Sequence, residues 1–377
     1  MKIAYISSSA IPSRTANSIH VMKMCQAFAK NGHKVVLFAP DRRKEYEKNV
    51  DDVYKFYGVK NNFSLTLLPW LPLRFVRNIY YAIRVLFRLL KDEPDFVYGR
   101  DLYSCFIVSH FFDVYYESHA PMSSKAKRFI LDRMLNKKRF HKLIVISNEL
   151  KLILQAQHQV DESKILVAHD AADEIEEAVG KVSLRGTQGA LKVGYVGNLY
   201  KGKGIEIIEK IAKDLNNQNI EIHVVGGFPE DVKFWSKRIS HSNVYFYGFV
   251  SQCDLQPYIR ALDICLLPNQ KVVMPYGAGN SSANISNFTS PLKMFEYMAG
   301  GKAIVASDLP ALREVLNKSN SIMCDPERPE EWVQAIIALK DRRLLIRLGN
   351  KAQEDFRESY TWLRRAEAVI SKKTIGE

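Results

Sequence analysis

The run from residue 289 to 308, TSPLKMFEYMAGGKAIVASD, places a cation and an acid at a helix start. Ser290 and Pro291 are typical of the first residues of a helix, because serine can accept a bond from a free amide and proline suits the first turn. Lys293 would then add a full charge where helix amides already favour an anion. Glu296 follows after about one turn, on the same face. The pattern predicts a lysine on a diphosphate and a carboxylate on a ribose diol; a surface Lys–Glu pair on a capped helix is the alternative.

A second candidate anion site is GNLYKGKGIEII, residues 197–208. A strand-like run ends at Gly197, and a helical pattern begins near Gly204. Glycines let the backbone approach a ligand closely, and Lys203 at the helix entrance is placed to neutralise phosphate oxygens. The run does not match the Walker A pattern, and a solvent-exposed turn remains the alternative.

A histidine follows the strand-like run DVYYESHAP, residues 113–121. The carboxyl ends of parallel strands are where α/β folds place functional side chains, so His119 is a candidate site residue. Glu117 has the same parity in the strand and should point the same way. A purely structural histidine is the alternative.

These residues belong to an alternation of short β-branched runs and longer helical patterns, which predicts parallel sheets covered by helices. The alternation breaks at 174–190 and resumes at LKVGYVG. We therefore predict two doubly wound α/β domains, 1–180 and 181–355, with a last helix at 356–377 that returns to the first domain. Ligands of such sheets bind at the carboxyl ends of the strands, which would face a cleft.

The 377 residues exceed one ordinary domain of about 100–200 residues. Hydrophobic residues at 47% and charged residues at 25% exclude collagen-like, disordered and coiled-coil classes. The net charge of +13 favours an anionic partner, such as nucleotide phosphates, nucleic acid or an anionic membrane. Basic residues nevertheless cluster without the aromatic platforms of nucleic-acid binders, so we expect no nucleic-acid partner.

Five cysteines are scattered without a C-x-x-C pair, which predicts neither a disulfide framework nor a zinc site. The sequence contains no long uncharged apolar run, so we expect neither a leader peptide nor a membrane-spanning helix. A reducing cytosol is the expected compartment.

Residues 71–91, LPLRFVRNIYYAIRVLFRLLK, contain no acid and predict a basic amphipathic helix. Four arginines share one side of that helix: Arg74, Arg77, Arg84 and Arg88. Residues 125–142 add eight Lys and Arg against one acid, Asp132. Contact with an anionic membrane surface is one interpretation, and a core-packed helix with a solvent-exposed basic face is the other.

The three motifs occur in the order SHAP, GNLYKGKG and SPLKMFEYMA. Together they resemble the retaining GT-B glycosyltransferases of family four, especially bacterial surface-polysaccharide enzymes carrying S-P-L-K-x-x-E-Y-M-A. The likeness covers nearly the whole chain: AFAKNGHKVVLFA at 27–39 is similar to the passage from helix to second strand, and LIVISNEL at 143–150 to the strand and helix before the linker.

The resemblance implies two Rossmann-like domains and transfer of a hexose from a UDP- or GDP-linked sugar to a lipid-linked or other glycan acceptor, as in O-antigen or capsule synthesis. It implies retention of configuration. Because Lys203, Lys293 and the helix start would stabilise the leaving diphosphate and no D-x-D cluster is present, we expect no metal or other cofactor. The basic amphipathic face at 71–91 predicts a place on the cytoplasmic face of the inner membrane. The resemblance assigns His119, Lys203 and Lys293 to catalysis, with His119 at the donor sugar, and YGFVSQ at 247–252 to the base. The nucleotide-sugar contacts that it implies are Gly197, Asn198, Lys203, Ser290, Pro291, Leu292, Lys293 and Glu296.

Three positions depart from the family pattern. The first acid of its Glu-x7-Glu pair is replaced by Phe288, so the donor-sugar contact would come from Asn287, Thr289 or the loop 276–286. The usual phosphate arginine is Asn198, and the usual glycine pair is Thr15-Ala16. An inverting transferase, or an epimerase or hydrolase on the same fold with His119 as acid or base, is the competing enzymatic interpretation; a basic nucleic-acid binder is a more distant one.

Overall fold

The structure is a computed structural model that describes residues 1–42, 45–71, 73, 76–176, 178–273 and 284–371. The chain divides into two compact units. The first consists of residues 1–169 and the segment that starts at Trp362, and the second of residues 170–361.

The first unit is a parallel sheet of seven strands with order β3-β2-β1-β4-β5-β6-β7. Its strands are β1 (Lys2–Ile6), β2 (Lys34–Asp41), β3 (Ser64–Pro69), β4 (Phe96–Gly99), β5 (Val114–Ser118), β6 (Phe140–Val145) and β7 (Ile165–Val167). Its helices are α1 (Ala16–Lys30), α2 (Val53–Phe56), α3 (Arg77–Asp92), α4 (Leu102–Val108), α5 (Lys125–Leu135), α6 (Asn148–Gln157) and α14 (Trp362–Ile370), with a 3-10 helix at Glu162–Lys164.

Side-chain caps explain where several of these helices begin. Thr15, Asp101, Ser124 and Ser147 each precede a helix and accept a bond from an amide of its first turn. Such caps satisfy amides that have no partner inside the helix.

The second unit is a parallel sheet of six strands with order β10-β9-β8-β11-β12-β13. Its strands are β8 (Leu191–Val196), β9 (Ile220–Val225), β10 (Val244–Gly248), β11 (Ile264–Leu267), β12 (Ala303–Ser307) and β13 (Ile322–Cys324). Its helices are α7 (Ile205–Leu215), α8 (Pro229–Arg238), α9 (Leu255–Ala261), α10 (Leu292–Ala299), α11 (Pro310–Arg313), α12 (Pro329–Ala338) and α13 (Arg342–Ser359), with a 3-10 helix at Asn216–Gln218.

Strand β11 shows why both faces of this sheet are covered. Ile264 and Leu266 belong to one hydrophobic cluster, while Cys265 and Leu267 belong to another. Because alternate side chains leave a strand on opposite faces, an uninterrupted apolar strand needs packing partners on both sides.

The predicted doubly wound parallel sheets are confirmed, and the strand-like runs DVYYESHAP and LKVGYVG contain β5 and β8. One strand was missed: β3, whose residues are mostly exposed or half-buried at the sheet edge. Among the described residues no helix is both long and apolar enough to cross a membrane.

Candidate functional site

In the second unit the strand order reverses between β8 and β11, and loops that follow these two strands flank the reversal. Ligands of doubly wound sheets bind at this switch point, at the carboxyl ends of the strands. Gly197, Asn198 and Lys203 follow β8, and Asn269 follows β11. These loops and the start of α10 form the candidate donor site.

The expected serine cap at the start of α10 is wrong. The N-cap residue is Pro291, and Ser290 is buried with its hydroxyl accepting from the amide of Asp170 at 2.9 Å. Within the described chain no side chain caps the first turn of α10, which begins at Leu292. Its first amides therefore keep the anion-binding character of a helix start, without competition from serine.

Lys293 occupies the first turn of α10 with its ammonium buried. Among the described residues its Nζ has no hydrogen-bond partner, and it lies 4.1 Å from the centroid of the Tyr195 ring. Burial, followed by the positive charge of Lys203, holds the pKa of Lys293 well below its usual range, while Glu296 opposes that shift. An anionic ligand could balance a lysine in these surroundings.

Lys203 is held in the loop by glycines on either side. At Gly204 (φ +95°) a Cβ atom would lie 1.9 Å from the carbonyl oxygen of Pro268, and at Gly202 (φ +90°) it would lie 2.5 Å from that of Val272. Only glycine fits this conformation and this approach. Burial lowers the pKa of Lys203 to about 8. The G-K-G sequence thus fixes a second desolvated lysine beside the first.

Residues at the carboxyl end of β8 pack against the side chain of Lys293. A Cβ at Gly197 (φ +142°) would lie 3.7 Å from Cδ of Lys293. The Asn198 carbonyl accepts a bond from the Tyr195 hydroxyl at 2.6 Å, which fixes the ring beneath the ammonium. Gly197, Asn198, Lys203 and Lys293 therefore lie close together. That Lys203 and Lys293 bind the diphosphate stays a prediction.

Glu296 lies one turn after Lys293 and is half-buried. Its carboxylate accepts a bond from the side-chain amide of Gln252. Gln252 is the last residue of the 247–252 segment that the resemblance assigned to the base. The acid and this segment are thus adjacent, as a contact to ribose and base would require.

The residues expected to contact the donor sugar lie in different surroundings. Asn287 is exposed, Thr289 is half-buried, and Phe288 is 3% exposed in the interior. Positions 276–283 of the proposed loop lie outside the described residues. Phe288 therefore replaces the family's acid with a packing residue.

Asn269 is a polar residue that the sequence analysis missed. It is 1% exposed, and in the described part of the chain neither its Oδ1 nor its Nδ2 has a hydrogen-bond partner. Gln270 donates its amide to the Gly202 carbonyl at 2.9 Å, which holds Asn269 beside the Lys203 loop. Its place after a central strand was the available signal.

In the first unit His119 follows β5, and its Nε2 contacts Oε1 of Glu117. Glu117 is fully buried and also contacts His20, Tyr98 and Arg365. Burial alone would raise the pKa of Glu117, but Arg365, His20 and His119 hold it well below its usual range. The carboxylate is therefore ionised and orients His119.

Helix α3 has both an inward and an outward apolar side. Tyr81, Val85 and Leu89 are buried, whereas a second row is exposed by 41–66%: Ile79, Ile83, Phe87 and Leu90. Two of the predicted arginines, Arg84 and Arg88, are exposed beside this row. Arg77 instead packs 5.6 Å from the Trp70 ring centroid, and Arg74 lies outside the described residues.

Comparison with known proteins matches both halves of the chain to one kind of protein. The family described as Glycosyltransferase Family 4 matches residues 18–174, and that described as Glycosyl transferases group 1 matches residues 190–342. An uncharacterized glycosyltransferase of Methanocaldococcus jannaschii is 25% identical over 361 residues, which cover 88% of this chain and 87% of the relative.

Solved structures show the same fold. HepE of Anabaena, crystallised with UDP, has a TM-score of 0.68 at 14% identity, over 97% of this chain and 98% of HepE. The lipopolysaccharide outer core galactosyltransferase WaaB has a TM-score of 0.65 at 16% identity, over 99% of this chain and 100% of WaaB.

Proposed function

The chain belongs to the group 1, family-four glycosyltransferases, a retaining family with the GT-B fold that uses nucleotide-sugar donors, and from that premise we propose its site and its substrates. The donor is a hexose linked to UDP or GDP, and the acceptor is a lipid-linked or other glycan of a bacterial surface polysaccharide. UDP is the first nucleotide to test, because HepE was crystallised with it.

The observation that carries the donor-site proposal is the buried ammonium of Lys293 with no hydrogen-bond partner in the described chain. An unsatisfied buried charge is costly, and Lys203 beside it increases that cost. A diphosphate would give both lysines charge-assisted hydrogen bonds, and the first amides of α10 would add further donors. The diphosphate therefore binds between the Lys203 loop and the start of α10.

The nucleoside lies on the Glu296 side of the same helix. A carboxylate is repelled by phosphate but accepts bonds from a vicinal diol, so Glu296 binds the ribose hydroxyls. Gln252 is hydrogen-bonded to Glu296, so the 247–252 segment lies next to the proposed ribose contact, where it would contact the base.

Asn269 binds the donor sugar. A carboxamide has both donors and an acceptor, whereas a phosphate oxygen only accepts. A sugar hydroxyl both donates and accepts, so it can satisfy both ends of Asn269, which a phosphate cannot. This contact takes the place of the acid that Phe288 replaces.

Sugar transfer follows from these contacts. The acceptor hydroxyl attacks the anomeric carbon on the face that the diphosphate leaves, the bond from that carbon to the phosphate oxygen breaks, and the acceptor proton passes to the departing phosphate. Lys203 and Lys293 stabilise the charge that develops on that oxygen. We expect no metal in this step, and the resemblance assigns His119 of the first unit to the donor sugar.

Helix α3 binds an anionic membrane surface, which would bring the first unit to lipid-linked acceptors. Its outward row, Ile79, Ile83, Phe87 and Leu90, offers an apolar strip for the acyl boundary, and Arg84 and Arg88 lie beside it at headgroup level. An apolar strip bordered by cations is typical of helices that lie in the membrane interface.

A thermal-shift screen of nucleoside diphosphates followed by turnover of the matching nucleotide sugars tests this function. We expect UDP or GDP to stabilise the protein, since a ligand that binds only the native state raises its stability. NMR of the product should show the anomeric configuration of the donor. An inverted anomer, or the absence of stabilisation by any nucleoside diphosphate, would contradict the proposal.

A further inference from the structure

We propose that Glu117 is a positioning residue: its buried carboxylate keeps a proton on Nε2 of His119, so that Nδ1 is the nitrogen of the neutral ring that can accept a hydrogen bond. The kinetic consequence rests on the proposed function, because only the family resemblance assigns His119 to the donor sugar. The part that concerns the proton rests on the first unit alone.

One carboxylate is the centre of four contacts from different elements. Oε1 of Glu117 lies 3.0 Å from Nε2 of His20 on α1 and 3.0 Å from Nη2 of Arg365 on α14, and it also contacts Nε2 of His119. Oε2 accepts from the hydroxyl of Tyr98 on β4. The side chains of Glu117, His20 and Arg365 are at most 2% exposed, so this geometry is set by the interior.

The chemistry of the groups decides where the proton of His119 lies. An ionised carboxylate only accepts hydrogen bonds, so the ring nitrogen that contacts it must carry a proton. The three cationic or ionisable neighbours that keep Glu117 ionised are Arg365, His20 and His119. Nε2 is therefore the protonated nitrogen in the neutral ring as well as in the imidazolium, and Nδ1 is the nitrogen that can accept a hydrogen bond in the neutral ring.

Arg365 supplies the positive charge that balances Glu117, so neither His20 nor His119 has to be protonated to an imidazolium for the carboxylate to stay ionised. Its guanidinium balances Glu117 and is fixed by bonds to the carbonyls of His169 (2.8 Å) and Ala168 (3.1 Å). His20 and His119 meet edge to face with ring centroids 4.8 Å apart, so protonating both would place two cations in contact. Helix α14 thus fixes, through one buried ion pair, the carboxylate that orients His119.

A 15N spectrum of histidine-labelled protein without ligand tests the proton position, because the two tautomers give different nitrogen signals. His119 is identified by the signals lost in His119→Asn. We expect protonated Nε2 in the wild type. A neutral ring protonated on Nδ1 would overturn the proposal, and because no donor is present, this result is independent of whether the chain transfers sugar.

The kinetic test uses the pair Glu117→Gln and Arg365→Met, since either change alone leaves a buried group unpaired and can prevent folding. The double variant should bind nucleoside diphosphate as the wild type does, with an unchanged KM, but lose about 10–100-fold in kcat because the ring is no longer held. Asp132→Asn, which removes the carboxylate from another histidine pair (Asp132 Oδ1 to His158 Nδ1, 2.6 Å), is the matched control and should keep full kcat. Wild-type kcat in a folded double variant would refute the positioning role, whereas an inactive wild type would refute only the proposed function.

Discussion

Replacing Lys293 with methionine should have opposite effects on stability and on ligand binding. The ammonium is buried without a hydrogen-bond partner in the described chain, and its neighbour Lys203 is also a cation. Methionine keeps the length and apolar stem of lysine and contacts aromatic rings well, and the ring of Tyr195 lies beneath this position. We therefore expect the free energy of unfolding to rise by about 1–3 kcal/mol, the usual cost of an unsatisfied buried polar group.

The same change should weaken binding of a nucleoside diphosphate. A hydrogen bond to a charged group contributes about 1.5–3 kcal/mol, which corresponds to a loss of about 10–150-fold in affinity. Urea denaturation gives the stability and isothermal titration gives the affinity. A simple loss of packing would lower stability, so it could not explain a variant that is more stable and binds the nucleoside diphosphate more weakly.

Lys302 provides the matched control. It is another lysine of the second unit with a pKa lowered chiefly by burial, but its Nζ donates to the carbonyls of Arg260 (2.9 Å) and Leu262 (2.6 Å). Lys302→Met should therefore destabilise the protein, because it leaves two carbonyl acceptors unsatisfied. The reasoning is refuted if Lys293→Met destabilises the chain as Lys302→Met does, or if it binds the diphosphate with wild-type affinity.

Three further predictions concern the donor site and the membrane. The pKa of Lys203 is lowered to about 8, and a bound diphosphate should favour its protonated form, so affinity for the diphosphate should fall as pH rises through 8. Calorimetric titrations in buffers of different ionisation enthalpy should show proton uptake on binding, and Lys203→Met should reduce it. Equal uptake in both proteins would contradict the assignment. Asn269→Ala should raise KM for the nucleotide sugar by about 5–150-fold while leaving the affinity for the free diphosphate unchanged, since unpaired sugar hydroxyls cost about 1–3 kcal/mol. Equal losses of both would place Asn269 at the phosphates instead. The double variant Ile83→Asp/Phe87→Asp should no longer float with phosphatidylglycerol vesicles, because it places charges on the apolar strip of α3. The control Leu363→Asp, at an exposed leucine of α14, should still float. Flotation of both variants would exclude α3 as the membrane contact.

The alternation of strands and helices could be predicted because a parallel sheet buried on both faces needs uninterrupted apolar strands. Cys265 and Leu267 pack on one face while Ile264 and Leu266 pack on the other, so β11 reads as a short apolar run. Strand β3 lies at the sheet edge, where the exposed side chains remove that signal.

The grouping of residues at the candidate donor site could be predicted in part because its lysines are close in sequence to recognisable helix starts. The serine cap failed because Ser290 bonds the amide of Asp170, a partner 120 residues away. Asn269 was missed because its two unsatisfied atoms become apparent only once burial is known. The same holds around Glu117: strand parity placed it beside His119, but Arg365 lies 248 residues along the chain.

A crystal structure with a bound nucleoside diphosphate tests the central claim most directly. We predict the two phosphates within hydrogen-bond distance of the ammonium groups of Lys203 and Lys293, and the ribose hydroxyls on the carboxylate of Glu296. A nucleotide bound elsewhere, with both lysines still buried and without phosphate, would contradict the account.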